Sequence, residues 1–171
     1  TIAASLDERP SPGKLRLLGS VLSTLELHCA GRVGVLTVTT EMVEGARASW
    51  EDIEGMVNWG RNAEGAQVGV LLTTAKGGGV RVSMRSRSDR VDVGKVCMTL
   101  GGGGHPGAGG CHINSDVVVV KDRVVRALDA AFNRSRPVGR HPTQDDRPSL
   151  RDERTGDRPV VTPPERDPSQ E

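Results

Sequence analysis

Aromatic side chains are nearly missing from this 171-residue chain, which has two tryptophans, one phenylalanine and no tyrosine. That scarcity argues against a stacking platform for long single-stranded nucleic acid, which needs one ring after another. Charge of one sign is missing too. Lys and Arg number 23 against 22 Asp and Glu, a formal net charge of +1, so no global field draws the protein to nucleic acid or membrane and any basic surface is local. Cysteine is scarce: Cys29, Cys97 and Cys111 are odd in number and form no C-x-x-C pair. This excludes a disulfide frame and a cysteine zinc site, and the three are expected as free, apolar fillers in a reducing compartment. No apolar run approaches a membrane span and no signal-peptide pattern opens the chain, so the expectation is a cytoplasmic protein with no membrane partner.

Catalytic patterns are absent as well. His28, His105, His112 and His141 are scattered, with no Asp-x-Asp or Asp-His-His run to hold a metal. No serine or cysteine stands with a histidine in a recognisable nucleophile context. No catalytic residue, metal or cofactor is therefore expected in this chain, and binding is better supported than catalysis.

What is present is glycine, concentrated from Gly101 to Gly110 as Gly-Gly-Gly-Gly-His-Pro-Gly-Ala-Gly-Gly. Such a run is entropically costly to order and offers nothing to bury, so it serves where backbone turns sharply or approaches something closely. Successive amides there can cup an anion, and His105 adds a donor. Gly102 to Gly107 satisfies G-x-G-x-x-G, but a dinucleotide fingerprint follows a strand, whereas a helix is predicted before these glycines. A Walker loop needs Lys then Ser or Thr, and Gly110 and Cys111 stand here instead. A flexible linker is the plain alternative, opposed by the amphipathic segment before the run and the apolar one after it.

In chain order, Leu15, Leu18, Leu22 and Leu25 predict a helix over residues 12–27 with a buried leucine stripe. Val33, Val38 and Thr40 predict a strand over 32–40, followed by short helices over 41–48 and 49–58, the second capped by Ser49. Trp50 and Trp59 are expected as core anchors. Residues 67–74 read as a central strand covered on both faces. Residues 80–86 alternate, with Val80, Val82 and Met84 on one face and Arg81, Ser83 and Arg85 on the other; Arg87 and Arg90 extend the positive charge. A helix over 91–100, the glycine loop, a short strand over 111–113 and a helix over 116–133 follow. The fold expected is α/β, a small mixed β-sheet of about four to five strands flanked by helices. Residues 134–171 hold seven prolines among balanced charges and are expected to be a disordered tail.

Ser83 and Arg85 stand some fifteen residues before the glycine loop, joined to it by one helix, so both can border a single anion site. An arginine forks onto phosphate through two charge-assisted bonds while backbone amides orient it.

The order of Leu15-Arg16-Leu17-Leu18-Gly19, Asp52-Ile53-Glu54-Gly55-Met56-Val57-Asn58, Val82-Ser83-Met84-Arg85-Ser86 and the glycine run resembles the DHH phosphoesterases. Specifically, it is similar to their C-terminal, DHH-associated domain in the oligoribonuclease and pAp phosphatase branch, whose loop reads Gly-Gly-Gly-His-x-x-Ala-Ala-Gly; Gly109 replaces the second alanine. The resemblance covers residues 1 to about 133, with 1–12 as the remnant of an interdomain linker. It implies a substrate-binding domain whose partner, an absent N-terminal DHH domain, carries the manganese. It also implies that Gly102, Gly103, Gly104 and His105 bind substrate phosphate, and that Ser83 and Arg85 contact the phosphate or sugar of short single-stranded RNA or 3′-phosphoadenosine 5′-phosphate (pAp). Thr1 in place of a methionine fits an upstream segment outside this sequence, and a homodimer is left open. Two rivals stand beside this reading: an RNA-binding module like the related domain of alanyl-tRNA synthetase, and an assembly domain whose loop packs on a partner.

Overall fold

Ser11 and Pro12, placed with the linker by the resemblance, instead start the first helix. Ser11 Oγ accepts the Lys14 amide at 3.0 Å, and Pro12 opens α1 (Pro12–Leu22), where its missing N–H is no loss. The computed structural model describes residues 9–74 and 77–135, all within one unit, Thr1–Pro137. Residues 1–8 of the expected linker and all but two residues of the expected tail lie outside the described residues, while Arg9 and Pro10 are exposed and in no regular element.

The first helix ends five residues sooner than its leucine spacing predicts, and it buries another face. Gly13, Leu17 and Val21 are covered, whereas Leu15, Leu22 and Leu25 are exposed. Both faces of this helix are apolar, so close approach decides between them. A Cβ on Gly13 would lie 2.5 Å from the Arg47 carbonyl oxygen, and only the glycine face permits α1 to dock there.

The remaining elements are β1 (Glu26–His28), β2 (Val33–Val38), α2 (Thr40–Ala46), a 3-10 turn (Trp50–Ile53), α3 (Val57–Asn62), β3 (Val68–Thr74), β4 (Val80–Ser86), α4 (Val93–Thr99), β5 (Gly103–His105), β6 (Ala108–Ile113) and α5 (Val117–Arg134). The helix predicted over 49–58 is split because Gly55, at φ 81°, breaks it.

The strands form one six-stranded sheet in the order β1-β2-β3-β4-β6-β5. Only β2 and β3 run parallel, with α2 and α3 in their crossover. The strands that the sequence pattern does not place are the three-residue edge strands β1 and β5. Neither shows a β-branched alternation; each is held by pairing with a longer neighbour.

One face of the sheet is closed along its length. Val68, Val70, Leu72, Val82 and Met84 pack there with α4 and with Val120, Val124, Leu128 and Phe132 of α5, each fully buried aliphatic contributing roughly 1.5–3 kcal/mol. On the opposite face Leu17, Val21, Val43, Met56 and Val57 pack on Leu36, Val38 and Leu71 of β2 and β3. The third helix sits low on these strands because a Cβ on Gly34 would meet the Gly60 carbonyl oxygen at 2.1 Å. Among the described residues no helix packs on β6 or β5 from this second face, so β4, β6 and β5 form an open half-sheet there.

Candidate functional site

The glycine run is a helix stop followed by a hairpin. Gly101, at φ 87°, takes the left-handed conformation that ends α4. Its amide donates to Met98 O at 3.2 Å and that of Gly102 to Cys97 O at 2.8 Å, the double bond that satisfies a helix's last carbonyls. Gly102 is thus set apart from the other predicted site residues: its amide caps a helix, and a Cβ there would meet Gly110 O at 2.2 Å.

From Gly103 the chain pairs with β6, Gly103 opposite Gly110, Gly104 opposite Gly109 and His105 opposite Ala108. The Pro106–Gly107 tip is anchored, since Pro106 O accepts the Val93 amide at 3.0 Å and Gly107 O accepts the Ser86 amide at 3.0 Å. This fixed hairpin replaces the anticipated loop of free amides. Its glycines leave a floor of main chain with no side chains standing on it.

That floor meets the polar face of β4. Directly opposite residues share a face, so the register builds three rows: Arg85, Ala108 and His105; Ser83, Gly110 and Gly103; Arg81 and His112. Together they enclose a cleft of about 510 Å³ lined by Arg81, Ser83, Arg85, Gly103, Gly110 and His112, among others. His105 stands exposed in the Arg85 row, on the outer strand and outside that lining.

Among the described residues neither Arg81 nor Arg85 has a carboxylate partner. Arg85 is half-buried and held by one bond, Nη1 donating to Met84 O at 3.0 Å, which leaves its other donors for a ligand. Arg87 is committed elsewhere, donating to Asn62 Oδ1 at 2.8 Å. The structure therefore brings Ser83, Arg85, Gly103 and Gly104 to one cleft, with His105 beside it.

Sequence reasoning missed His112 and gave Arg81 no role. Period-two alternation carries the signal for both, because Ala108, Gly110 and His112 fall on the same face as Arg85, Ser83 and Arg81. The tryptophans are misplaced by expectation: Trp50 is 46% and Trp59 49% exposed. A four-residue 3-10 turn and a six-residue helix are too short to turn such large rings inward.

Beneath the floor, Cys97 and Cys111 are free and buried. A hydrogen bond to Cys111, reinforced by burial, pushes the Cys97 thiol far above the usual range. Among the described residues no three His, Cys, Asp or Glu side chains group to hold a metal, and no helix is long and apolar enough to cross a membrane.

Residues 32–134 match the DHHA1 domain family. The bifunctional oligoribonuclease and PAP phosphatase NrnA of Thermus thermophilus is 38% identical over 131 residues, 76% of this chain and 38% of that protein. The chain thus spans well under half the length of this curated relative. An exopolyphosphatase-related protein from Bacteroides fragilis superposes with a TM-score of 0.62 at 21% identity, over 74% of this chain and 36% of that one, a likeness of fold.

Proposed function

The chain belongs to the DHHA1 domain family, and from that premise we propose that its open half-sheet grips the phosphates of short RNA oligonucleotides or of pAp for a DHH phosphoesterase. The observation that carries this reading is the pair of guanidiniums, Arg81 and Arg85, without carboxylate partners among the described residues, over a main-chain floor kept bare by Gly103 and Gly110. Phosphate is the ligand such a face suits: two-pronged arginine donors meet its oxygens, and no side chain blocks their approach. The Ser83 hydroxyl supplies a further donor between the arginines, and His105 and His112 stand at the two ends.

Manganese and the hydrolytic water belong, in this proposal, to a separate DHH catalytic domain. Here the chain's own part is to hold the phosphate and fix its direction. Supplied with a DHH domain, the holoprotein hydrolyses short oligonucleotides. The Thermus thermophilus relative is named for oligoribonuclease and PAP phosphatase activities, which supports both substrates.

Calorimetric titration of the chain with pAp, a 5′-phosphorylated dinucleotide and a tRNA tests this. Binding of the two small ligands, weakened in Arg85→Ala, is the expected result. Tight binding of tRNA alone would favour the RNA-module alternative, and no binding at all would favour an assembly role.

A further inference from the structure

A second cleft of about 380 Å³ lies across β4 from the first, and the two share Arg81, Ser83 and Arg85 as a common wall. Its far side has a different chemistry. Trp50 stands there with Glu51 and Glu54 over Ile53, Val57 and Leu71. A carboxylate-bearing pocket repels phosphate, so this side does not continue the anion site. An exposed indole face stacks a nucleobase, and carboxylates accept hydrogen bonds from sugar hydroxyls and exocyclic amines.

Trp50 is also held in place. The Ser49 amide donates to Asp52 Oδ2 at 2.9 Å, and the Asp52 amide to Ser49 O at 3.2 Å, which fixes the 3-10 turn that bears the ring. Trp59, equally exposed, lines neither cleft. Strand spacing sets the scale: from Gly103 on β5 to Leu71 on β3 is three inter-strand steps, about 14 Å, more room than one phosphate needs.

Resting on the phosphate-gripping reading above, we propose that this second cleft is a nucleoside subsite in which Trp50 stacks a base. A dinucleotide then lies across β4 with a phosphate over Arg81 and Arg85 and one base against Trp50. The phosphate contact supplies charge-dependent affinity, and the indole adds preference for a ligand long enough to reach it.

The test uses the full chain with Trp59→Phe as background, so that the fluorescence comes from Trp50 alone. A 5′-phosphorylated dinucleotide and a nucleoside monophosphate are titrated by calorimetry against Trp50, Trp50→Phe, Trp50→Ala and Arg85→Ala forms, with indole quenching followed in the forms that keep Trp50 and thermal unfolding recorded for each. The expected result is dinucleotide quenching of the indole and about a 5-fold or greater loss of dinucleotide affinity in Trp50→Ala. Mononucleotide binding stays within about twofold, and Trp50→Phe keeps most of the affinity. If Arg85→Ala weakens both ligands while folded Trp50→Ala binds the dinucleotide as before, the subsite is refuted and the phosphate site survives. If Arg85→Ala leaves both ligands unaffected, or neither binds, the phosphate reading falls and takes the subsite with it.

Discussion

Ser83 lies directly opposite Gly110 in the β4–β6 ladder, and Gly110 lies opposite Gly103 in the next. Three strands thus present, in one row, a hydroxyl followed by two positions without side chains. A ligand oxygen can settle on that row and be met by Arg85 from one side and Arg81 from the other. The glycines at these positions work by exposing main chain, which is a different service from the cupped amides that a polyglycine run suggests.

Gly103 separates this service from folding. A Cβ there would meet nothing within 4 Å, and Gly103 is not among the residues with positive φ. Gly103→Ala should therefore fold normally, with stability unchanged or raised by up to about 1 kcal/mol through the less flexible unfolded chain. Its methyl group projects into the cleft, so nucleotide affinity should fall. Calorimetric titration beside thermal unfolding checks both halves, and a stable variant with undiminished binding would remove Gly103 from the site.

Gly109 should behave in the opposite way. Its Cβ would come within 2.8 Å of both Cys97 Sγ and Val93 O, on the face closed by α4. The carbonyl cannot rotate aside, so Gly109→Ala pushes helix and hairpin apart and should lose about 1–3 kcal/mol. Urea unfolding measures the loss. Equal stability would mean that α4 yields more readily than its backbone contact implies.

How legible this arrangement was in the sequence depended on how far each signal extended. Val120, Val124 and Leu128 repeat every four residues through an 18-residue helix, and β4 alternates for seven residues, so both faces could be assigned at sight. The three-residue strands β1 and β5 are too short for any period to show. The leucines of α1 misled because Leu17 and Val21 offer a second apolar face, chosen by backbone contact at Gly13. Alternation places Ser83 and Arg85 on the polar face of β4 with Arg81, and the family resemblance singles the two out. Their pairing with glycines could not be read in this way, since register across β4, β6 and β5 is a property of the folded sheet.

The edge of the sheet gives a prediction in pH. Lys121 Nζ donates to Glu26 Oε1 at 2.7 Å, tying β1 to α5. This hydrogen bond chiefly, with the Lys121 charge and His28 adding to it against some desolvation, lowers the Glu26 pKa below its ordinary value. A lowered carboxyl pKa gives stability that is present above the ordinary glutamate range and lost as pH falls through the lower folded value. Since the Glu26 side chain is 46% exposed, screening holds the effect to about 0.2–1 kcal/mol. Glu26→Gln should therefore be slightly less stable than the parent at neutral pH, and the gap should close in acid, at about pH 2, below the lowered folded value. Denaturant midpoints at the two pH values decide the matter; a gap that persists in acid would assign the effect to packing.

Arg85 carries the heaviest expectation, because its fork has no carboxylate to answer to among the described residues. Losing a charge-assisted bond of about 1.5–3 kcal/mol predicts a 10- to 100-fold fall in affinity for a 5′-phosphorylated dinucleotide in Arg85→Ala. Arg85→Lys should recover only part of it, since an ammonium supplies the charge without two parallel donors. The two variants should also differ in salt. Removing the charge flattens the decline of affinity with ionic strength, whereas the lysine keeps the parent slope at a lower overall affinity. Titrations at several salt concentrations distinguish the contributions. If alanine and lysine prove equally weak with unchanged slopes, Arg85 acts through its bond to Met84 O and shapes the strand, leaving Arg81 as the guanidinium that meets the phosphate.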